Sequence, residues 1–396
     1  MDKKPELIAF SQNKIGGVQN FYFNILSHDP YHSFNKKWIF IDQEAETEAK
    51  LPQLYNTGYE MLFPIRKNEM IYQYAKRLQQ LISGRPGIVL TNFFEELATL
   101  HIHRRKRKTI FFICHDEWYL PVASEFEFLI DVFIAHNIEF YNRLKAIFPQ
   151  RENDVYFIPY GVALPSFQRK QNARQPLKIV FLARLTESKG VYDLPLIQEM
   201  LSGNGINVQW TIIGDGPEKE NLKSKMAGYK NAIFHTPASN EAVLRLLQQQ
   251  DVYVLPSRLD GLPVSMLEAM SVGCVPIISE FNQGIKQMLP AHAGFILPIG
   301  DISAFAESIG HLDKNRNELE KRSIAARSLV EQKFNIENRA REYFDLFARY
   351  KKLKKRKRFK LLHYDGGFLN NPFVPAFVRF VIRKIRNTGI SAKAGI

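Results

Sequence analysis

Arg184 and Lys189 stand five residues apart, directly after an apolar run at residues 178–183. An arginine fork and a lysine point charge at the ligand-facing end of a parallel strand can grip a diphosphate. They can also neutralise charge growing on a departing phosphate. Further on, Asp260, Gly261, Leu262 and Pro263 are followed by Glu268, so two carboxylates flank the start of one helix. Pro263 suits a first helical turn. The amides of Val264 to Leu267 would then form an anion site, with Glu268 one turn further in and able to accept two vicinal hydroxyls. The small apolar stretch after Glu268, from Ala269 to Pro276, argues against an open surface there. Asp260, ahead of the turn, can accept hydroxyls of a sugar.

Three other places add to this chemistry. Gly16 and Gly17 follow the first apolar run and let backbone amides approach a phosphate, or simply turn a strand into a helix. Gly214, Asp215, Gly216 and Pro217 form a second glycine turn. It lacks the third glycine of a dinucleotide fingerprint, so it reads as a turn lining a cleft. His115, followed by Asp116, ends the run at residues 109–113 and can hydrogen-bond a sugar or an incoming acceptor, or serve as a structural histidine. No Cys/His cluster has zinc spacing and no Asp-x-Asp offers a divalent-metal handle, so neither metal nor cofactor is expected.

These residues need elements to hold them. Short, nearly continuous apolar runs at residues 7–10, 37–41, 87–90, 109–113 and 131–135 alternate with helical patterns, such as Ile71, Tyr74, Leu78, Leu81 and Ile82 behind a capping Asn68. That pattern predicts a parallel sheet covered on both faces. The polar stretch 165–176 begins and ends with proline and reads as a linker. The alternation then restarts with strands at 178–183, 208–213, 232–235, 252–255 and 275–279 and helices at 218–226 and 241–250. The predicted architecture is α/β, with two Rossmann-like doubly wound domains facing a cleft: residues 1–164, linker 165–176, and residues 177–345.

Residues 346–396 form a tail of different composition. The net charge is +14, yet residues 351–396 hold thirteen Lys/Arg against one acid, leaving about +2 for the rest. Phe377, Val381 and Ile385 share a helical face opposite Arg379, Arg383 and Arg386. This is the pattern of a basic amphipathic helix on an anionic membrane, through residues 351–386, or of a helix packed on the first domain. The run Arg104 to Lys108 is a further basic stretch, usually a solvated loop. No nucleic-acid recognition module accompanies the charge, so nucleic acid is not expected. No apolar run reaches membrane-spanning length. The start has no secretory pattern, and Cys114 and Cys274 lie in or beside apolar runs. A cytoplasmic location without disulfides is therefore expected.

The chain resembles retaining glycosyltransferases of the large family-4 group (glycosyl transferases group 1), which have the GT-B architecture. The resemblance rests on Ile15 to Val18, Ile158 to Val162, Ala183 to Gly190, Gly214 to Pro217, and Pro256 to Met270. It spans about residues 5–345. It implies that Arg184 and Lys189 bind the donor diphosphate, that Gly16 and Gly17 approach it from the other domain, and that Glu268 holds the nucleotide ribose. Asp260 stands where the family has the first acid of Glu-x7-Glu and would contact the transferred sugar. His115 would lie near donor sugar and acceptor. Gly214, Gly261, Leu262, Pro263 and Leu267 complete the donor site. The family's usual Asn before Gly161 is Tyr160 here. The resemblance further implies hexose transfer with retention, without a metal, to a hydroxyl. With the basic tail, a glycan or lipid-linked acceptor of an envelope or exopolysaccharide pathway at the inner face of the plasma membrane is expected. A nucleotide-sugar epimerase of the same architecture, or a non-catalytic nucleotide-sugar-binding protein at the membrane, are the alternative readings.

Overall fold

The structure is a computed structural model that describes residues 4–14, 16–43, 55–67, 69–103, 108–166, 169, 175–236, 239–355, 360, 362 and 364. Asn68, Ile15, most of the Arg104–Lys108 run and the helical face from Phe377 to Arg386 lie outside the described residues.

The first half runs β1 (Glu6–Gln12), α1 (Gly17–Ser27), β2 (Asn35–Asp42), β3 (Glu60–Pro64), α2 (Ile71–Leu81), β4 (Gly87–Thr91), α3 (Phe94–Ile102), β5 (Lys108–Cys114), α4 (Tyr119–Glu125), β6 (Val132–Ala135), α5 (Ile138–Ile147) and β7 (Val155–Phe157). Its seven strands form one sheet in the order β3-β2-β1-β4-β5-β6-β7, every pair parallel. Successive residues face opposite layers: Leu7 and Ala9 pack in one apolar cluster, Ile8 and Phe10 in the other. Helices on both faces explain why these strands read as unbroken apolar runs.

The second half runs β8 (Leu177–Leu182), α6 (Asp193–Gly203), β9 (Val208–Ile213), α7 (Lys219–Met226), β10 (Ala232–His235), α8 (Asn240–Leu247), β11 (Val252–Leu255), α9 (Val264–Ser271), β12 (Val275–Ser279), α10 (Ile285–Met288), β13 (Phe295–Leu297), α11 (Ile302–Lys314), α12 (Arg316–Lys333), α13 (Ile336–Ala348) and α14 (Tyr350–Leu353). The sheet order is β10-β9-β8-β11-β12-β13, again all parallel. Strand order reverses between β1 and β4 in one sheet and between β8 and β11 in the other. Ligands of open α/β sheets bind outside the carboxyl ends of strands at such points. Arg184 follows β8, Asp260 follows β11, and Gly16 follows β1.

The chain then crosses back. Val162 and Asn335 form a parallel bridge, with Val162 N donating to Phe334 O at 2.8 Å and Ile336 N donating to Val162 O at 3.0 Å. Beyond it α13 packs on the first domain: the Phe347 ring lies 5.2 Å from Phe111, and the Tyr343 hydroxyl donates to Ile158 O at 3.0 Å. The domain boundary expected at residue 345 falls inside this helix.

The start of the basic tail also docks on the first domain. Lys355 N donates to Asp131 Oδ1 at 2.7 Å, and its ammonium pairs with Asp154 at 2.8 Å. Buried Tyr364 meets His101 Nδ1 at 2.6 Å and sits edge-on to Phe94 and Tyr72. The choice between a membrane-bound and a packed helix concerns Phe377 to Arg386, which lie outside the described residues. Lys108, grouped with a solvated basic run in the sequence, is buried on β5, where it pairs with Glu6. Burial alone would raise the Glu6 carboxyl, but hydrogen bonds from Lys108, Lys37 and Ser83 outweigh it and hold its pKa below the usual value.

Candidate active site

The loop after β8 is built to reach β11. Gly190 has φ +73°, and a Cβ there would lie 2.0 Å from Pro256 O, so only glycine lets the turn Glu187–Lys189 rest on the end of β11. Ser257 Oγ and Arg258 N both donate to Ser188 O, at 3.1 and 2.8 Å. The loop is thereby locked and Lys189 delivered to the second acid-bearing turn. Its ammonium donates to Asp260 Oδ2 at 2.5 Å and to Leu259 O at 3.2 Å. Arg184 is exposed and has no carboxylate partner among the described residues. Gly214 positions it indirectly: a Cβ there would meet Ala183 O at 2.1 Å, so the ends of β8 and β9 touch only because Gly214 has no side chain.

On α9, Pro263 is the N-cap, one position earlier than its sequence reading. The amides of Met266 and Leu267 bond to Pro263 O. The Leu267 side chain is enclosed in the apolar core and its amide bonds within the helix. Leu262 is likewise buried. The free amides at this helix end belong to Val264 and Ser265.

Glu268 is only 4% exposed. Burial pushes its pKa up to about 8, opposed by the hydrogen bond from Asn20 Nδ2 at 3.2 Å. Asn20 lies on α1 of the other domain and accepts in turn from the Tyr55 hydroxyl at 2.7 Å. Gly17 sits at the same junction: a Cβ there would stand 3.7 Å from Val264 Cγ2, whereas one on Gly16 would meet Gln19 Oε1 at 3.3 Å. The amino ends of α1 and α9 therefore face each other.

His115 lies directly beneath Gly261, where a Cβ would come 1.9 Å from the His115 carbonyl oxygen. Its Nδ1 is 2.7 Å from the Tyr160 hydroxyl, and its buried Nε2 has no partner. Burial, and secondarily the neighbouring His136, holds the His115 pKa well below its usual value, so the ring is neutral. Tyr160, the departure noted at the Gly161 turn, is thus the group that orients this histidine.

Two contributors escaped the sequence reading. Asp116 adjoins Asp260 and Lys189; burial raises its pKa, the Trp118 amide lowers it, Asp260 raises it and Lys189 lowers it, for a value of about 6. Asn137 Nδ2 donates to Gly261 O at 3.1 Å and Asn282 Oδ1 at 3.0 Å while its own Oδ1 caps α5. Only that capping role had a local signal, an Asn behind an apolar run with an acid two residues on. Among the described residues, no group of three His, Cys, Asp or Glu is arranged to hold a metal ion.

The junction between the domains therefore gathers Lys189, three acids, two facing helix ends and a neutral histidine whose Nε2 has no partner among the described residues, with Arg184 exposed just after β8. Residues 165–329 match the family of glycosyl transferases group 1. The amylovoran biosynthesis glycosyltransferase AmsK of Erwinia amylovora is 30% identical over 193 residues, 44% of this chain and 45% of that protein. The putative colanic acid biosynthesis glycosyltransferase WcaL of Escherichia coli is 30% identical over 171 residues, 40% of this chain and 42% of that protein. The matched stretch thus spans less than half the length of these curated relatives. Among solved structures, TarM of S. aureus in complex with UDP superposes with TM-score 0.71 at 11% identity, over 87% of this chain and 100% of that one. The pneumococcal O-GlcNAc transferase GtfA, in complex with UDP and GlcNAc, gives TM-score 0.72 at 11% identity, over 88% and 99%. The two-sheet architecture is the GT-B fold. The match to glycosyl transferases group 1 falls on the linker and most of the second domain.

Proposed function

We propose that the protein transfers a hexose from a nucleotide diphosphate sugar to a hydroxyl of a growing envelope or exopolysaccharide glycan, with retention at the anomeric carbon. The observation that carries this is the Lys189–Asp260 pair beside the α9 amino end and Glu268, all opposite α1. Arg184, Lys189 and the Val264 and Ser265 amides would hold the diphosphate and stabilise its charge as the sugar leaves, with no metal or cofactor. Asp260 would bind the sugar hydroxyls, Glu268 the ribose, and His115 Nε2 an oxygen of the sugar or acceptor. Lys189 then exchanges its carboxylate for phosphate oxygens. Asn20 covers Glu268, so donor binding requires the domains to part and close again, which also excludes water from the sealed site. The relatives' part in exopolysaccharide biosynthesis and the basic tail support an acceptor at the inner membrane face. The test is mass spectrometry of products from a panel of nucleotide sugars with glycan and lipid-linked acceptors, with and without EDTA. Transfer insensitive to EDTA is expected; product formed without any acceptor would point to epimerisation instead.

A further inference from the structure

Trp118 is 70% exposed, more than the other exposed large apolar side chains of the described residues. The other two tryptophans, Trp38 and Trp210, are fully buried. An indole left in water while both others are enclosed is available for a contact outside the fold. Trp118 borders an open hollow of about 370 Å³ walled by Pro121 and Ile147 and edged by Glu117, Ser124 and Arg143. Ile147 is itself 42% exposed. An apolar floor with a polar, charged rim suits a sugar ring, which has C–H faces and a hydroxyl edge.

One turn of chain, from Asp116 to Trp118, links the hollow to the domain junction. The Trp118 backbone amide donates to Asp116 Oδ1 at 2.9 Å, which holds the carboxylate against the backbone that carries the indole, while Asp116 Oδ2 has no partner among the described residues. Asp116 in turn abuts the second domain: its Cβ lies 3.4 Å from where a Cβ on Gly261 would stand, next to the Lys189–Asp260 pair. We propose that Trp118 stacks the terminal sugar of the acceptor glycan and that Asp116 accepts a hydrogen bond from the hydroxyl that is glycosylated. This rests on the transferase reading and adds the acceptor's subsite to it.

Because Trp38 and Trp210 are enclosed, acrylamide quenching of tryptophan fluorescence reports Trp118 alone. The intact protein is titrated with the methyl glycosides of glucose, galactose and N-acetylglucosamine, and separately with phosphatidylglycerol vesicles. At least one glycoside is expected to protect Trp118 from quenching. Protection by vesicles only, or by nothing, overturns the proposal. In transfer assays Trp118→Ala should raise the acceptor KM about tenfold with kcat within about threefold, the loss of one stacking contact. Trp118→Phe should recover most of it. Asp116→Asn should lower kcat while leaving nucleotide affinity unchanged by calorimetry. Unaltered KM in Trp118→Ala refutes the subsite. Failure of the chain to bind any nucleotide diphosphate would instead remove the transferase reading, and glycoside protection would still be read on its own.

Discussion

Single residues at this site carry conflicting demands. Glu268 is buried and kept protonated to about pH 8, whereas its unfolded carboxyl ionises near 4.5. Between those values the unfolded chain has lost a proton that the folded chain retains, so stability falls as pH rises. Glu268→Gln removes that dependence. Thermal denaturation should find variant and wild type alike near pH 4.5 and the variant more stable at pH 8, by on the order of 3 kcal/mol; parallel pH curves would refute it. The same variant should lose donor affinity if Glu268 grips the ribose. Arg184 behaves oppositely. It is exposed and unpaired among the described residues, so Arg184→Ala should leave Tm unchanged while weakening UDP, GDP or ADP binding about ten- to a hundredfold by calorimetry.

At the scale of elements, the strands that feed the site were legible because both faces of each sheet are covered, which forces unbroken apolar runs on β1, β4, β5, β8, β11 and β12. The short strands β3, β7 and β13 were not; β7 and β13 hold only three residues each, too few for a pattern. The cations and acids were legible as short motifs behind strands. Their partners were not: Asn20 and Glu268 are 248 residues apart in the chain and Asn137 and Gly261 are 124 apart, and no local period encodes such a meeting. Nor did the apolar spacing around α13 say which domain would receive it. The buried ion pair of β1 and β5 makes a prediction at this scale. Lys108→Met strands the Glu6 carboxylate with fewer partners and should destabilise the first domain by about 3–5 kcal/mol in urea denaturation.

For the whole molecule, Gly261 is where the second domain rests on the backbone of the first, at His115. A side chain there cannot fit at 1.9 Å without separating them. Gly261→Ala should lower transfer at least a hundredfold and increase the radius of gyration in small-angle scattering. Tm should fall as well, because one apolar cluster holds buried residues of both domains. Acid should act on the same region. The pKa of His115 lies well below 6.5, and burial lowers that of His136 to about 3. The unfolded chain therefore takes up protons near pH 6.5 that the folded chain refuses; this opposes the Glu268 contribution, so the change in Tm as pH falls from 7 to 5 should be more negative in Glu268→Gln than in wild type.

The covalent path passes between the lobes twice, once after Val162 and once at Asn335, and these two passages are hydrogen-bonded side by side. A body joined by a single tether can tumble about it, but one joined by two adjacent strands swings like a door on its pins. The opening that the proposed donor binding requires would then be a rotation about that axis, returning Lys189, Asp260 and Glu268 to the same register against α1 on closure. Spin labels flanking the mouth should shift their separation when nucleotide is added, while a pair beside Val162 and Asn335 should hold theirs.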